Sequence, residues 1–463
     1  MAYDYDLLVI GSGPAGEKGA AQAAYFGKRV AIVEKADEPG GAAVHTGTLP
    51  SKTLRETALF LSGYRQRELY SVSVSFDAAL AIPRLLSRKD TVREMEVDRI
   101  HDNLDRHRIA SLHGTARVLD PHTVEVSGPG GSRSLTAEFI LVATGSVPFH
   151  PAGIDFPDTS IDDSDEILTI DSMPHRLIVL GAGVIGCEYA CVFATMGAHV
   201  TLLDSRPQLL PFLDMEISQE LHASMVRLGI NVRLGEVASS VRREGDEIAV
   251  SLASGIDLHC DRLLNAAGRS GATAGLGLEE AGVRMAQRGC IEVDANYRTS
   301  VPSIYAAGDV IGFPALASTS MEQGRVAVCR AFAFDYKQHV STLLPYGIFT
   351  IPEVSAVGLT EQEAAANGRP VVCGRALYRD NARGKIIGAT EGMVKLVFDA
   401  PTRRLAGVHI IGDGAAELLH IGQAMITLGG TVETLVETVF NYPTLSDCYK
   451  YAAYDALGRW PPG

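Results

Sequence analysis

The chain has 463 residues, enough for about three domains. Its 55 acidic and 41 basic residues give a net charge of −14, which argues against nucleic-acid binding. Its seven cysteines include no Cys-x-x-Cys pair, so a structural zinc site or a disulfide framework is not expected. The acidic N-terminus lacks the basic segment of a secretory signal, and residues 177–203 are interrupted by Glu188 and four glycines, so we expect a cytoplasmic protein with no metal, membrane or nucleic-acid partner.

The first predicted element is a strand over residues 5–10, followed by the turn Gly11-Ser12-Gly13-Pro14-Ala15-Gly16. A helical segment over 17–26 and a strand over 29–33 come next, and this strand ends in Glu34. The order of strand, glycine-rich turn, helix, strand and acid is typical of a dinucleotide-binding βαβ unit. The first glycine allows a tight turn, the second lets the backbone approach a pyrophosphate, and the third lets helix and strand pack closely.

The same pattern returns in the middle of the chain. A strand over 176–180 leads into Gly181-Ala182-Gly183-Val184-Ile185-Gly186, then a helical segment over 187–196 and a strand over 199–203 that ends in Asp204. The acid follows the first glycine at the same distance in both units. Two complete copies with equal spacing predict two dinucleotide-binding domains.

Other predicted strands also end in glycine-containing turns. These junctions are Ala143-Thr144-Gly145 after residues 137–142, Gly268-Arg269 after residues 263–267, and Gly308-Asp309 after residues 303–307. Beyond residue 340 the pattern changes to strands over 394–398 and 405–411 and helices over 415–428 and 431–439, with no nucleotide motif. We expect this last region to serve packing and subunit contact.

Together these features resemble the two-dinucleotide-fold flavoprotein disulfide reductases over essentially the whole chain. The resemblance implies an α/β fold with two Rossmann-like dinucleotide-binding domains and a C-terminal α+β interface domain. It implies that residues 1–150 and 271–340 form the FAD-binding domain, residues 151–270 the NAD(P)-binding domain, and residues 341–463 a dimerisation domain. A homodimer or a higher homo-oligomer is therefore expected.

The resemblance also implies two sets of cofactor-binding residues. The FAD set comprises Gly11, Gly13, Pro14, Ala15, Gly16, Glu34, Lys35, Gly40, Gly41, Ala42, Lys52, Ala116, Ala143, Thr144, Gly145, Gly308, Asp309, Leu316 and Ala317. The set for NAD(H) and NADP(H) comprises Gly181, Gly183, Val184, Ile185, Gly186, Glu188, Asp204, Arg206, Gly268 and Arg269.

Two departures from the family pattern concern its redox chemistry. The family's run Gly-Gly-x-Cys-x4-Cys-x-Pro-Ser-Lys has Ala43 and Thr48 at its two cysteine positions here. Near the C-terminus, Tyr442 and Asp447 stand where the family carries a histidine and a glutamate. Because thiol–disulfide exchange needs two positioned thiols, we do not expect the family's usual chemistry.

One branch of the family, the soluble Si-specific pyridine nucleotide transhydrogenases, resembles this chain at residues 45–52, 181–190, 305–314 and 440–444. This resemblance implies ping-pong hydride transfer from NADPH to NAD through N5 of FAD. It places Lys52 near N5 and pairs it with Glu188. The other candidate catalytic residues are Tyr442 and Asp447, which the partner subunit would supply, and His45, which either hydrogen-bonds near the flavin or fills space.

Several alternatives remain open. Asp204 is the residue type that binds the ribose 2′-hydroxyl of NAD, whereas Arg206 can pair with the 2′-phosphate of NADP, so coenzyme preference is undecided. An NAD(P)H:quinone reductase or diaphorase, or a non-catalytic flavin- or nucleotide-binding module, would carry the same motifs. An NADH oxidase is disfavoured, because relatives handle peroxide with a redox cysteine.

Overall fold

The computed structural model of the chain describes residues 3–64, 69–70, 78–154 and 158–460. The chain divides into two compact units. The first unit comprises Met1–Thr53, Leu86–Phe149 and Gly268–Ser341, and the second comprises Leu54–Leu85, His150–Ala267 and Thr342–Gly463. Within the described ranges, no helix combines the length and the apolar character needed to cross a membrane.

Helices and strands alternate through most of the chain. The helices are α1 (Pro14–Tyr25), α2 (Gly41–His45), α3 (Thr48–Ser62), α4 (Ala78–Arg106), α5 (Val184–Thr195), α6 (Met215–Arg227), α7 (Ala317–Ala331), α8 (Glu361–Ala366), α9 (Ala382–Ile387), α10 (Ala415–Thr427), α11 (Val432–Glu437) and α12 (Cys448–Leu457). The strands are β1 (Tyr5–Ile10), β2 (Val30–Glu34), β3 (Ala110–His113), β4 (Thr115–Asp120), β5 (Thr123–Gly128), β6 (Gly131–Val142), β7 (Ser146–Pro148), β8 (Ile161–Asp163), β9 (Arg176–Leu180), β10 (His199–Asp204), β11 (Asn231–Leu234), β12 (Ala238–Glu244), β13 (Glu247–Leu252), β14 (Asp257–Cys260), β15 (Arg262–Asn265), β16 (Arg269–Gly271), β17 (Ile304–Ala306), β18 (Tyr346–Ile348), β19 (Val354–Gly358), β20 (Val371–Leu377), β21 (Met393–Asp399) and β22 (Leu405–Ile411).

The first unit is built on a sheet in the order β3-β2-β1-β6-β5-β4, with β17 also paired to β6. Strands β1, β2, β6 and β17 run parallel, so their carboxyl ends meet at one edge. Alternating residues of β1, such as Leu7 and Leu8, enter apolar cores on opposite faces of this sheet. Ligands of such sheets bind outside the carboxyl ends of the strands, which places the predicted glycine-rich junctions at the expected edge.

Three sheets lie in the described residues of the second unit. A parallel sheet in the order β11-β10-β9-β15-β8 carries the second glycine-rich turn, and an antiparallel sheet β12-β13-β14 accompanies it. The C-terminal region forms an antiparallel sheet in the order β18-β19-β22-β21-β20. Its core includes Phe398, Leu419 and Tyr449, from the sheet, α10 and α12 respectively. The expected α/β fold with a C-terminal α+β region is therefore confirmed.

Both helices after the glycine-rich turns begin earlier than the sequence pattern predicts. Helix α1 starts at Pro14 and α5 at Val184, so the second half of each motif is already helical. Proline suits this position because the first helical N–H groups have no intrahelical acceptor. The N-cap residues Gly13 and Gly183 provide no side-chain cap, which leaves both helix N-termini open to an anionic group.

Candidate functional site: two nucleotide cradles

The first glycine-rich turn is tight at two positions and open at one. Gly11 has φ +99°, and a Cβ there would lie 2.5 Å from the carbonyl oxygen of Ala143. A Cβ on Gly16 would lie 1.9 Å from the carbonyl oxygen of Gly11, so neither glycine tolerates a side chain. At Gly13 the nearest atom to an added Cβ is 3.9 Å away, the Cα of Gly41. The turn thus leaves room for a ligand beside Gly13.

The second turn has the same geometry. Gly181 has φ +105°, and its added Cβ would lie 2.5 Å from the carbonyl oxygen of Ala266. A Cβ on Gly186 would lie 1.8 Å from the carbonyl oxygen of Gly181. An added Cβ on Gly183 meets nothing within 4 Å. We call the two turns, with the acid that follows each, the first cradle and the second cradle.

In the first cradle, the carboxylate of Glu34 accepts hydrogen bonds from the turn itself. Its Oε2 accepts from the N–H of Ser12 at 2.9 Å and from the Ser12 hydroxyl at 2.6 Å, and its Oε1 accepts from the N–H of Ala36 at 2.9 Å. The Ser12 hydroxyl oxygen also accepts from the N–H of Gly40 at 3.0 Å. These bonds fix the acid at the end of β2 and bring the loop of Gly40 to the turn.

In the second cradle, the carboxylate of Asp204 accepts hydrogen bonds from both the guanidinium and the backbone N–H of Arg206. The Arg206 Nε and Nη2 donate to the Asp204 carboxylate at 3.0 and 2.6 Å, and the Arg206 N–H donates at 2.8 Å. The N–H of Ala182 donates at 2.6 Å, as the N–H of Ser12 does in the first cradle. Burial alone raises the pKa of Asp204, but the hydrogen bonds from Arg206 and Ala182 outweigh it and hold this pKa below its usual range. The acid is therefore ionised and paired at neutral pH.

The strand ends of the first unit bring Asp309 and Arg269 to Ser146. The Ser146 hydroxyl donates to Asp309 Oδ2 at 3.1 Å and accepts from Arg269 Nε at 2.8 Å. Gly308 has φ +85°, and a Cβ there would lie 3.1 Å from the Cβ of Ala15. Arg269, which the sequence assigned to the nicotinamide coenzyme, thus lies in the first unit beside a predicted FAD residue, and its role remains a prediction.

Two buried hydroxyls of the first unit have no hydrogen-bond partner among the described residues. They belong to Thr144, which follows β6, and to Thr319 in α7. Thr144 is a predicted site residue, whereas Thr319 is not. The sequence signal for Thr319 was its place just after Leu316 and Ala317, at the start of the helix. Because buried hydroxyls are normally satisfied, these two point to a group that is bound there.

Residues 40–52 continue the first cradle. Gly41 has φ +56°, and its added Cβ would lie 2.9 Å from the Cα of Gly13. His45 is part-buried, and its Nε2 forms a hydrogen bond with the carbonyl oxygen of Pro39 at 2.9 Å. Lys52 Nζ donates to the Ser51 hydroxyl at 3.2 Å in α3. His45 and Lys52 therefore lie in the same segment as Gly41, the residue that approaches the first cradle at Gly13.

Glu188 lies in the first part of α5 and is only 5 % exposed. Its Oε1 accepts a hydrogen bond from the backbone N–H of Phe349 at 2.9 Å. Sequence reasoning missed Phe349, because a backbone donor from a distant segment leaves no local signal. The expected pairing of Glu188 with Lys52 remains a prediction.

Tyr442 and Asp447 lie in the second unit, between α11 and α12. The Tyr442 side chain is 69 % exposed, whereas Asp447 is buried at the end of a short 3-10 helix. The side-chain amide of Asn381 donates to the carbonyl oxygen of Thr444 at 3.0 Å and anchors the segment between them. The expected contribution of these two residues to a partner subunit remains a prediction.

Comparison with protein-family models identifies the fold. The model described as "Pyridine nucleotide-disulphide oxidoreductase" matches residues 5–324. The chain belongs to this family. The model of the family's dimerisation domain matches residues 344–453.

Two curated relatives of the chain are both soluble pyridine nucleotide transhydrogenases. It is 44 % identical over 458 residues to a soluble pyridine nucleotide transhydrogenase of Mycobacterium bovis, with 98 % of each chain covered. It is 40 % identical over 462 residues to the protein of the same name from Escherichia coli, with 99 % of each covered. Among solved structures, the HOCl-induced flavoprotein disulfide reductase RclA from Escherichia coli matches with a TM-score of 0.88 and 26 % identity, covering 97 % of this chain and 99 % of that one. LpdA from Mycobacterium tuberculosis matches with a TM-score of 0.88 and 27 % identity, covering 97 % of this chain and 99 % of that one.

The cysteines of this family member are unpaired, and all seven lie in described segments. Cys187 and Cys191 are buried one turn apart in α5. Burial raises the pKa of Cys187 well above its usual range and that of Cys191 to about 12. A thiol with such a raised pKa is protonated at neutral pH and is a poor nucleophile. No group of three or more His, Cys, Asp or Glu side chains in the described segments has a metal-binding arrangement.

Proposed function

We propose that this oxidoreductase is a soluble, Si-specific pyridine nucleotide transhydrogenase that moves a hydride from NADPH to NAD in a ping-pong cycle. The observation that carries the proposal is the presence of two matching nucleotide cradles together with Ala43 and Thr48 at the family's two cysteine positions. A chain that keeps both nucleotide sites and lacks the thiols suits electron transfer between nucleotides rather than to a disulfide. The names of its full-length relatives support the same activity.

The residues of the first cradle fit FAD. The open position beside Gly13 admits a pyrophosphate, and the N-terminus of α1 favours its negative charge. The unpartnered hydroxyls of Thr144 and Thr319 offer hydrogen bonds to a bound polar group. Glu34 is proposed to accept from a ribose hydroxyl. When bound, FAD would supply a group able to accept a hydride from one nicotinamide nucleotide and release it to another.

The chain's own residues are proposed to bind and orient the reactants. The second cradle would hold the pyrophosphate of either nicotinamide nucleotide beside Gly183. The ammonium group of Lys52 would provide positive charge near N5, and the Glu188 carboxylate would fix the position of that ammonium group. Tyr442 and Asp447 of a second copy would complete the site, in keeping with the dimerisation-domain match.

The organisation expected from the sequence belongs to the same proposal. Residues 1–150 and 271–340 would bind FAD, residues 151–270 would bind the nicotinamide nucleotides, and residues 341–463 would form the dimer interface. A homodimer or higher homo-oligomer that works in the cytoplasm is proposed.

Coenzyme selection is proposed to depend on the Asp204–Arg206 pair. An unpaired aspartate would repel a 2′-phosphate, but here Arg206 neutralises the carboxylate and keeps a half-exposed guanidinium next to it. NAD can then donate a ribose hydroxyl to Asp204, and NADP can place its phosphate on Arg206. The pair would thus accept both substrates of a transhydrogenase.

Substitutions in this pair are expected to separate the two coenzymes. Arg206→Met should raise the Kd for NADPH on the order of tenfold or more, because the 2′-phosphate loses its cation and meets Asp204, and should leave the Kd for NADH within about twofold. Asp204→Asn should change the ratio of the two Kd values in the opposite direction, in favour of NADPH. Titration calorimetry with both coenzymes measures the effect, and an equal loss of both in Arg206→Met would contradict the proposed role.

An anaerobic steady-state assay tests the proposed activity. Purified protein is given NADPH with either thio-NAD or a soluble quinone as acceptor, and the rates are compared. A transhydrogenase reduces thio-NAD at the higher kcat/KM. A higher kcat/KM with the quinone would favour the quinone reductase, and no reaction with either acceptor would favour a binding module.

A further inference from the structure

We propose that Arg55 is a positioning residue for Glu188 and that it acts through residues 349–353. The inference rests on the proposed function, in which Glu188 helps to orient the reactants. Arg55, Glu188 and residues 349–353 all belong to the second unit. In sequence, Arg55 lies one helical turn after Lys52 in α3.

Arg55 is a buried cation with partners on one short segment. The residue is 1 % exposed. Its Nε donates to the carbonyl oxygen of Thr350 at 3.0 Å, and its Nη1 lies 3.1 Å from Oε1 of Glu353. It also pairs with the exposed carboxylate of Glu56. A guanidinium that binds a carbonyl and a carboxylate from the same segment holds that segment in one place.

The same segment delivers the hydrogen bond to Glu188. Phe349 donates its N–H to Glu188, and Thr350, next in sequence, is the residue that Arg55 holds. The Thr350 hydroxyl donates to the carbonyl oxygen of Pro352 at 2.7 Å, and the N–H of Gly412 donates to the carbonyl oxygen of Glu353 at 2.8 Å. The segment is therefore fixed to residue 412, next to the C-terminal sheet, through Glu353, and to Arg55 through Thr350 and Glu353. The direction of the Phe349 N–H depends on both attachments.

Loss of Arg55 would remove the counter-charge of a buried acid. Burial raises the pKa of Glu353, and Arg55 opposes this rise. Without the guanidinium, the pKa of Glu353 would rise further and Thr350 would keep an unpaired buried carbonyl. Relief of that unpaired group requires the segment to move, and the Phe349 N–H moves with it. Glu188 would then lose its fixed orientation.

A double-mutant cycle on hydride transfer tests this coupling. Arg55→Met is expected to slow flavin reduction by NADPH on the order of tenfold, as small misplacements at reactive sites do. In a Glu188→Ala background the same substitution should slow it less than about twofold, because its route of action is already gone. Slowing by the same factor in both backgrounds, or in neither, would overturn the proposal.

A matched control separates positioning from general loosening of the unit. Arg262 also pairs with a buried acid of the second unit, and its Nη2 donates to Asp162 Oδ1 at 2.9 Å. Arg262→Met is expected to combine additively with Glu188→Ala. If Arg55→Met does not yield folded protein, Arg55→Gln, which removes the charge but keeps a polar side chain, takes its place in the cycle with the same criteria.

Amide hydrogen exchange gives a readout that does not depend on catalysis. In the flavin-loaded protein, the Phe349 N–H should exchange at least about tenfold faster in Arg55→Met than in wild type. Its exchange rate in Arg262→Met should equal that in wild type. Unchanged exchange at Phe349 in Arg55→Met would overturn the inference. Absence of flavin reduction by NADPH in wild type would instead overturn the proposed function, while the exchange result would still decide the role of Arg55.

Discussion

Gly183→Ala is expected to leave the free energy of unfolding within about 0.5 kcal/mol of wild type and to weaken binding of NADPH and NADH at least about tenfold. The residue has φ −78° and ψ −175°, a conformation open to any amino acid. Its added Cβ meets no protein atom within 4 Å. The methyl group would instead occupy the space in which the proposed pyrophosphate approaches the backbone.

Gly186→Ala provides the contrast within the same turn. Its Cβ would lie 1.8 Å from the carbonyl oxygen of Gly181, so α5 must move away from β9. We expect a loss of about 3 kcal/mol or more in the free energy of unfolding. Denaturant titration and calorimetry with both coenzymes measure the pair of variants. Unchanged coenzyme binding in Gly183→Ala would show that the second cradle is not the nucleotide site.

Lys395→Met is expected to lower the free energy of unfolding by about 3–5 kcal/mol. Lys395 is buried in β21, and its Nζ lies 2.8 Å from Asp214, 3.0 Å from Glu216 and 2.6 Å from Glu361. Asp214 is fully buried and caps α6 through the N–H of Glu216. Among the described residues, Arg375 still pairs with Glu216 and Glu361 after the ammonium group is removed.

The pH dependence of this loss has a defined sign. Burial opposes ionisation of Asp214 and Glu216, but hydrogen bonds from Lys395 and, at Glu216, from Arg375 outweigh it and lower both pKa values. Burial likewise opposes the charge of Lys395, whose carboxylate partners raise its pKa. The acids therefore stabilise the fold above their unfolded pKa values of about 4, and the lysine does so below about 10.

Between these limits the network of wild type is fully charged, at pH 5 as at pH 8. The difference in the free energy of unfolding between wild type and Lys395→Met should nevertheless be larger at pH 8 than at pH 5, because of what happens in the variant. In the variant, carboxylates without their cation have raised pKa values and take up protons as the pH falls, which relieves the unpaired charge. Denaturant unfolding at both pH values measures this. A difference that is equal at pH 5 and pH 8 would contradict the account of the network.

Local sequence patterns predicted the two βαβ units closely. The predicted strands over 5–10 and 176–180 match β1 and β9, and the final strand over 405–411 matches β22. The helix starts were misplaced, since Pro14 and Val184 already belong to the first helical turns. Glycine periodicity and apolar runs are properties of neighbouring residues, so the sequence alone reveals them.

Long-range contacts were not predictable in this way. The bond from Phe349 to Glu188 and the network around Lys395 join residues that are far apart in the chain. Both involve buried polar groups whose partners come from elements distant in the sequence. The sequence does show a lysine within an apolar strand at position 395, which indicates a buried cation. No local sequence pattern identifies the carboxylates that pair with it.

Isotope transfer between the two nucleotides tests the central claim most directly. NADPH deuterated at the transferable C4 position is mixed anaerobically with flavin-loaded protein and NAD, and the NADH formed is analysed by mass spectrometry. A ping-pong cycle predicts one NADH formed for each NADPH oxidised, and this NADH carries deuterium at C4 except where the hydrogen on N5 of the reduced flavin has exchanged with water before NAD binds. NADPH oxidation that produces no NADH would contradict the proposed transhydrogenase.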